Sequence, residues 1–258
     1  MDRCPACSTP APRHRFCAGC EEDFTNQGPG CRFCGTPVGH AGQICGQCLQ
    51  QGHPWDRLHF IHDFQGPWAA LIRRLKYQGA LTLTDPFAAL LARQWRVDVQ
   101  YQAVPMTVYQ VVAMPMHRTR LLSRGFNQAG LLADSLARHL AIARRQPLYR
   151  TRETPPLEGL SRTERRRALD RAFASEAAGG HWLLVDDVFT TGASARQAAR
   201  ALRAAGADSV SLVMLARTPL SGDSHHSWLG QTWHGTRCAE DAPESPPHFA
   251  SRSSDPRR

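Results

Sequence analysis

The chain has 258 residues and a formal net charge of +9, and 42% of it is hydrophobic. That length accommodates one well-buried domain plus a small attachment, and that apolar content excludes a wholly disordered chain. No apolar run approaches the ~20 residues that span a bilayer, and Met1 to Thr9 holds polar residues and two cysteines where an export signal needs an apolar stretch, so the reading is a cytoplasmic protein with no membrane insertion.

Residues 1 to 52 are rich in Cys, Gly and Pro and carry no long apolar period. Eight of the nine cysteines stand here as four C-x-x-C pairs: Cys4 and Cys7, Cys17 and Cys20, Cys31 and Cys34, Cys45 and Cys48. Without an export signal such pairs predict metal ligation rather than disulfides. Each C-x-x-C grips one tetrahedral ion from a tight turn, and two such turns close a four-thiolate site. The expectation is two structural zinc ions in a double zinc ribbon, replacing the core that this segment lacks. The spacing leaves the pairing open between consecutive and crossed, and iron stays an alternative to zinc. His14, His40 and Cys238 are spare.

From about residue 53 to 218 strand and helix patterns alternate. Leu58 to Phe64 reads as a strand and Trp68 to Tyr77 as a helix with an apolar stripe. Asp85 and Pro86 open a helix to about Trp95, with Asp85 as N-cap. Tyr109 to Met114 is a short apolar run, hence a buried strand, followed by a helix over Phe126 to Leu140. His181 to Val185 is a further strand, Gly192 to Ala205 a helix stopped by Gly206, and Ser209 to Leu215 a last strand. The pattern predicts an α/β domain, a mainly parallel sheet with helices on both faces, behind the small ribbon module. Residues 219 to 258, rich in Ser, Pro, His and charge, read as a disordered tail.

The stretch Leu183 to Ser194 carries the chemistry. An apolar strand runs into Asp186 and Asp187, a loop of small residues follows, and a helix begins. In open parallel sheets ligands bind at the carboxyl ends of strands. Loop N–H groups and the positive helix end make an anion site, to which Thr190, Thr191 and Ser194 add hydroxyls and Gly192 and Ala193 give close approach. The two carboxylates face ribose hydroxyls or a magnesium ion. One segment thus offers acids to a sugar and N–H donors to its 5′-phosphate. Lys76 is the only lysine in the chain, and ten arginines against four acids lie between Arg138 and Arg171; such an excess favours a polyanionic ligand.

This stretch resembles the signature of type I phosphoribosyltransferases. The rest of the chain resembles the competence protein F family, also called the gluconate-utilisation X-like family. The residues concerned are Leu75 to Gly79 (L-K-Y-x-G), Met114 to Arg118 followed by Arg124 to Ala129 (R-G-F-N-Q-A), the arginine-rich loop from Arg152 to Phe173, and the cysteine pairs. The resemblance implies that phosphoribosyl pyrophosphate binds with magnesium. It places Asp186 and Asp187 on the ribose, Thr190 to Ser194 on the 5′-phosphate, and Met114 to Arg118 in the pyrophosphate loop, with Met116 and His117 among the binding residues and Arg118 and the two aspartates in catalysis. Lys76 or Arg124 adds charge, and the Arg150 to Arg167 loop forms a hood over the substrate. Leu157 and Ala168 stand where the family commonly has glutamine and asparagine. Thr190 replaces the aspartate of hypoxanthine-type relatives and argues against simple hypoxanthine salvage. The implied activity is pentosyl transfer linked to utilisation of external DNA. The alternative is a non-catalytic accessory protein that binds nucleotide or single-stranded DNA, with a DNA-uptake helicase as a further partner, in which Phe16, Phe24, Phe33 and Trp55 stack on bases or pack the ribbons.

Overall fold

The computed structural model describes residues 2–13, 15–25, 28–99, 104–153, 164, 167–176 and 178–219. Most of the hood loop and the tail beyond residue 219 lie outside the described residues, as do Leu157 and His14.

The cysteine-rich segment opens with a short antiparallel ribbon, β1 (Asp2–Arg3) and β2 (Pro10–Ala11), then α1 (Ala18–Thr25) and α2 (Gly46–Leu49). The remainder runs β3 (Arg57–Asp63), α3 (Gly66–Tyr77), α4 (Thr84–Val99), β4 (Tyr109–Ala113), α5 (Arg118–Arg124), α6 (Gln128–Leu140), β5 (Ala143–Arg144), β6 (Leu148–Arg150), β7 (Phe173–Ser175), β8 (Gly180–Phe189), α7 (Ala193–Ala204) and β9 (Ala207–Arg217). Among the described residues the main sheet has five strands in the order β3-β9-β8-β4-β5, and every neighbouring pair in it is parallel. Consecutive residues Leu183, Leu184 and Val185 are all fully buried, which requires cover on both sheet faces. The mutually packed α4 and α6 supply it on one side and α7 on the other.

Three differences from the sequence expectation have physical causes. The turn Leu81–Leu83 runs directly into α4, so the helix starts at Thr84 and Asp85 sits inside its first turn. Asp85 is not a cap there. Its Oδ1 accepts from Ser135 Oγ at 2.5 Å and lies 3.1 Å from His139 Nε2, tying α4 to α6. Second, β8 continues past Val185 to Phe189. Its partner β4 stops at the Ala113–Val185 pair, whereas β9 stays paired as far as Phe189. Asp186 and Asp187 therefore lie on the stretch of strand that has lost one neighbour. Third, the helix expected from Phe126 begins at Gln128, where Asn127 caps it by accepting from the N–H of Ala129.

The ribbon segment is not coreless in its setting. Phe16 and Phe24 are each 2% exposed, and Phe24 packs 4.4 Å from Trp68 while Phe16 packs 5.7 Å from Phe87. The first ribbon therefore contributes aromatic rings to the core beneath α3 and α4.

Candidate functional site

The cysteines form two tetrads. The Sγ atoms of Cys4, Cys7, Cys17 and Cys20 lie within 4.8 Å of one another, and so do those of Cys31, Cys34, Cys45 and Cys48. The pairing is consecutive, not crossed. A tetrahedral zinc with Zn–S bonds of ~2.3 Å sets its sulfurs about 3.8 Å apart; Cys7 and Cys17 are 3.5 Å apart, and Cys34 and Cys45 are 3.7 Å apart. In each tetrad a backbone N–H backs a sulfur at 3.3 Å, Cys17 to Cys4 and Cys45 to Cys31. The Cys20 thiol's hydrogen bond, more than that N–H, brings Cys4 down to about 4 against the effect of burial. Thiolate chemistry at these spacings fits two zinc ions. With four protein ligands each, neither ion has an open position, so both are structural.

The second site is built where β8 outruns β4. Met114 donates its N–H to Val185 O at 2.8 Å, and the chain then turns away at Pro115. The space so opened is a cleft of about 450 Å³. Asp186, Asp187, Thr190 and Ser194 form one wall, Met114 to Met116 a second, and Lys76, Arg120, Arg124 and Arg150 bring positive charge. A pocket of about 60 Å³ adjoins it, lined by Thr190, Thr191, Gly192, Ala193 and Ser194. It lies against the first turn of α7, where free N–H groups and the helix dipole favour an anion. Gly192 holds φ at +69°, and a Cβ there would meet the Phe189 ring at 2.8 Å, so only glycine fits without strain.

The acids and the lysine form a compact set. Lys76 Nζ is 3.2 Å from Asp187 Oδ2, and Asp187 donates its N–H to Asp186 Oδ1 at 2.9 Å. Burial, then the Asp187 charge, pushes the Asp186 carboxyl up to about 7, against the pull of the Asp187 N–H, Lys76 and Arg150. Burial opposes the charge on Lys76, but both aspartates outweigh it and hold the ammonium above the ordinary lysine value.

Of the residues singled out in the sequence, Lys76, Met116, Asp186, Asp187 and Thr190 to Ser194 line these two adjoining spaces. Arg118 and His117 do not line them. Arg118 is exposed at the start of α5, and His117 caps that helix, its Nδ1 accepting from the N–H of Thr119. Helical geometry explains the exchange: Arg120 and Arg124, four apart, share the face turned to the cleft. Arg150 comes from the β6–β7 ribbon at the start of the arginine-rich loop, donates from Nε to Pro115 O at 2.9 Å and lies over the Phe173 ring. Tyr77, Asn127 and Gln128 were not assigned roles from sequence, although they lie inside the quoted motifs. Asn127 donates to Met114 O and Gln128 to Lys76 O, so both brace the loop and the lysine. Phe16, Phe24 and Trp55 are buried, and Phe33 stacks on His53 at 4.6 Å. These rings pack the ribbons rather than offering faces to bases.

The family described as double zinc ribbon domain matches residues 2–49. A DNA utilization protein YhgH of Salmonella typhi is 34% identical over 79% of this chain and 90% of its own length. Competence protein F of Haemophilus influenzae is 30% identical over 80% of this chain and 91% of its length, and competence protein ComFC of Bacillus subtilis is 26% identical over 80% and 86%. Among solved structures, glutamine phosphoribosylpyrophosphate amidotransferase of B. subtilis aligns at a TM-score of 0.34 and 17% identity, over 55% of this chain and 31% of that enzyme. Adenine phosphoribosyltransferase of Saccharomyces cerevisiae aligns at 0.31 and 17%, over 57% of this chain and 82% of that one. The class is an α/β protein with a parallel sheet behind a double zinc ribbon. Within it, the chain belongs to the family of competence protein F and the DNA utilization protein YhgH.

Proposed function

We propose that residues 53 to 218 form a phosphoribosyltransferase unit that binds phosphoribosyl pyrophosphate, fronted by a zinc-ribbon unit over residues 1 to 52, and that the protein serves the utilisation of external DNA in the cytoplasm. The observation that carries this reading is the joining of a diacid and a helix-capped anion pocket in one cleft. Asp186 and Asp187 would accept hydrogen bonds from the ribose hydroxyls. N–H groups of Thr191 to Ser194 would hold the 5′-phosphate. Lys76, Arg120, Arg124 and Arg150 would attract the pyrophosphate, with arginine pairing bidentately to its oxygens. Magnesium, bound with the donor, would neutralise charge on the departing pyrophosphate. The chain's own share is orientation and electrostatic stabilisation of that leaving group while a nucleophile displaces it at the anomeric carbon. Names of relatives in competence and DNA utilisation support the biological setting.

Calorimetric titration with phosphoribosyl pyrophosphate, with and without magnesium, tests the reading. Binding that needs magnesium and vanishes in Asp186→Asn/Asp187→Asn supports it. No binding to the unaltered chain, together with salt-sensitive binding of single-stranded DNA that the double variant keeps, would replace it with the accessory-protein reading.

A further inference from the structure

We infer that the second cysteine tetrad positions the phosphate loop through Phe33, His53 and Trp55. The inference rests on the reading of residues 190 to 194 as the 5′-phosphate site. Phe33 lies between Cys31 and Cys34, so metal ligation on both sides fixes its place. Its ring stacks on His53 at 4.6 Å with an interplanar angle of 9°. His53 meets Trp55 edge-on at 4.8 Å, and Trp55 meets Phe189 edge-on at 6.0 Å. The Trp55 indole N–H closes the circuit by donating to Phe33 O at 3.1 Å.

The far end of this chain of rings is the loop itself. A Cβ on Gly192 would lie 2.8 Å from Phe189 and 3.5 Å from Trp55, so the two rings form the floor under the left-handed turn. The helix behind the loop is tied to the same segment. Arg196, one turn into α7, donates to Gly52 O at 2.6 Å and has its guanidinium 5.2 Å from the Trp55 ring. Further along α7, Arg203 pairs with Asp56 at 2.6 Å. The connection between the second ribbon and β3 is thus clamped along the helix whose first turn faces the phosphate. Close-packed aromatic floors transmit displacement rather than absorb it, and an anion site made of N–H groups loses affinity when those groups turn away. Trp55 is a positioning residue: it touches the loop, not the ligand.

The test is calorimetry on the full, metal-loaded chain with two separate probes, ribose 5-phosphate and magnesium pyrophosphate. Trp55→Ala is expected to weaken ribose 5-phosphate about tenfold and to leave pyrophosphate within about twofold. Trp55→Phe, which keeps a ring on the floor, restores most of the affinity. Arg196→Gln, a milder change, weakens the same ligand about threefold. Cys45→Ala, checked to lower the zinc content by one ion per chain, reproduces the selective loss. Unchanged ribose 5-phosphate affinity in Trp55→Ala overturns the coupling. Equal loss of both probes with a lowered melting temperature also overturns it, because that outcome marks a general packing role. If the unaltered chain binds no ribose 5-phosphate, the phosphate-loop reading itself has failed, an outcome distinct from either.

Discussion

Lys76, the only lysine in a chain with 31 basic residues, ends 3.2 Å from Oδ2 of Asp187 across the cleft. Their side chains are 25% and 12% exposed, so the pair lies between the surface and buried limits of ion-pair energetics. Removing the cation leaves two adjacent carboxylates in a confined space. Lys76→Met is expected to cost about 1–3 kcal/mol in urea unfolding at neutral pH and to abolish binding of the phosphoribosyl donor. Lys76→Arg restores the charge but not a single-point ammonium, so it should recover stability more fully than binding. A Lys76→Met chain as stable as the original would show that the pair is a juxtaposition of charges without energetic weight.

Asp186 makes stability and binding pull in opposite directions. The fold raises its pKa from 3.8 to about 7, chiefly by burial and by the Asp187 charge. A raised acid favours the protonated form in the folded state. Its contribution to stability is therefore complete below about pH 4 and is lost as pH climbs to about 7. Asp186→Asn should flatten the pH dependence of the melting temperature across that window and raise the melting temperature at pH 8, while losing ribose 5-phosphate binding. A variant with the same pH slope as the original chain would assign the titration to another group.

The sheet and the turn from β8 into α7 were legible because each element speaks locally. Leu183 to Val185 is an apolar run, Gly192 marks a positive φ, and the Asp pair stands at the end of that run. The cysteine tetrads were legible for the same reason, except for their pairing, which depends on tertiary approach. What the sequence concealed was which arginine faces the cleft. Arg118, Arg120 and Arg124 are chemically alike, and only the rotation of α5 separates them. The stacking of Phe33, His53 and Trp55 against Phe189 was equally hidden, since it joins residues more than 130 positions apart.

That rotation has a measurable consequence. Arg150 lines the cleft and Arg124 does so beside Tyr77, whereas Arg118 stands exposed outside it. Arg150→Ala or Arg124→Ala should weaken magnesium pyrophosphate about tenfold. Arg118→Ala should stay within about twofold. Equal losses from all three would mean that α5 turns on binding and brings Arg118 inward.

The two zinc sites are expected to differ in what their loss does. Cys4, Cys17 and Cys20 are 1%, 9% and 0% exposed, and Phe16 and Phe24 beside them pack on Trp68 and Phe87. Cys34 and Cys45 of the second tetrad are only half-buried. A chelator should therefore strip the second ion first, with little change in melting temperature. Loss of the first ion frees two large rings from the core, and each ring lost from such packing costs about 3–5 kcal/mol. Cys20→Ser should accordingly unfold the chain or lower its melting temperature far more than Cys45→Ser does. Near-ultraviolet circular dichroism should change with the first ion through Trp68, which Phe16 and Phe24 touch, and with the second through Trp55, which the Phe33 and His53 rings hold. Release in the reverse order, or equal destabilisation by the two serine variants, would show that the first ribbon does not share the main core.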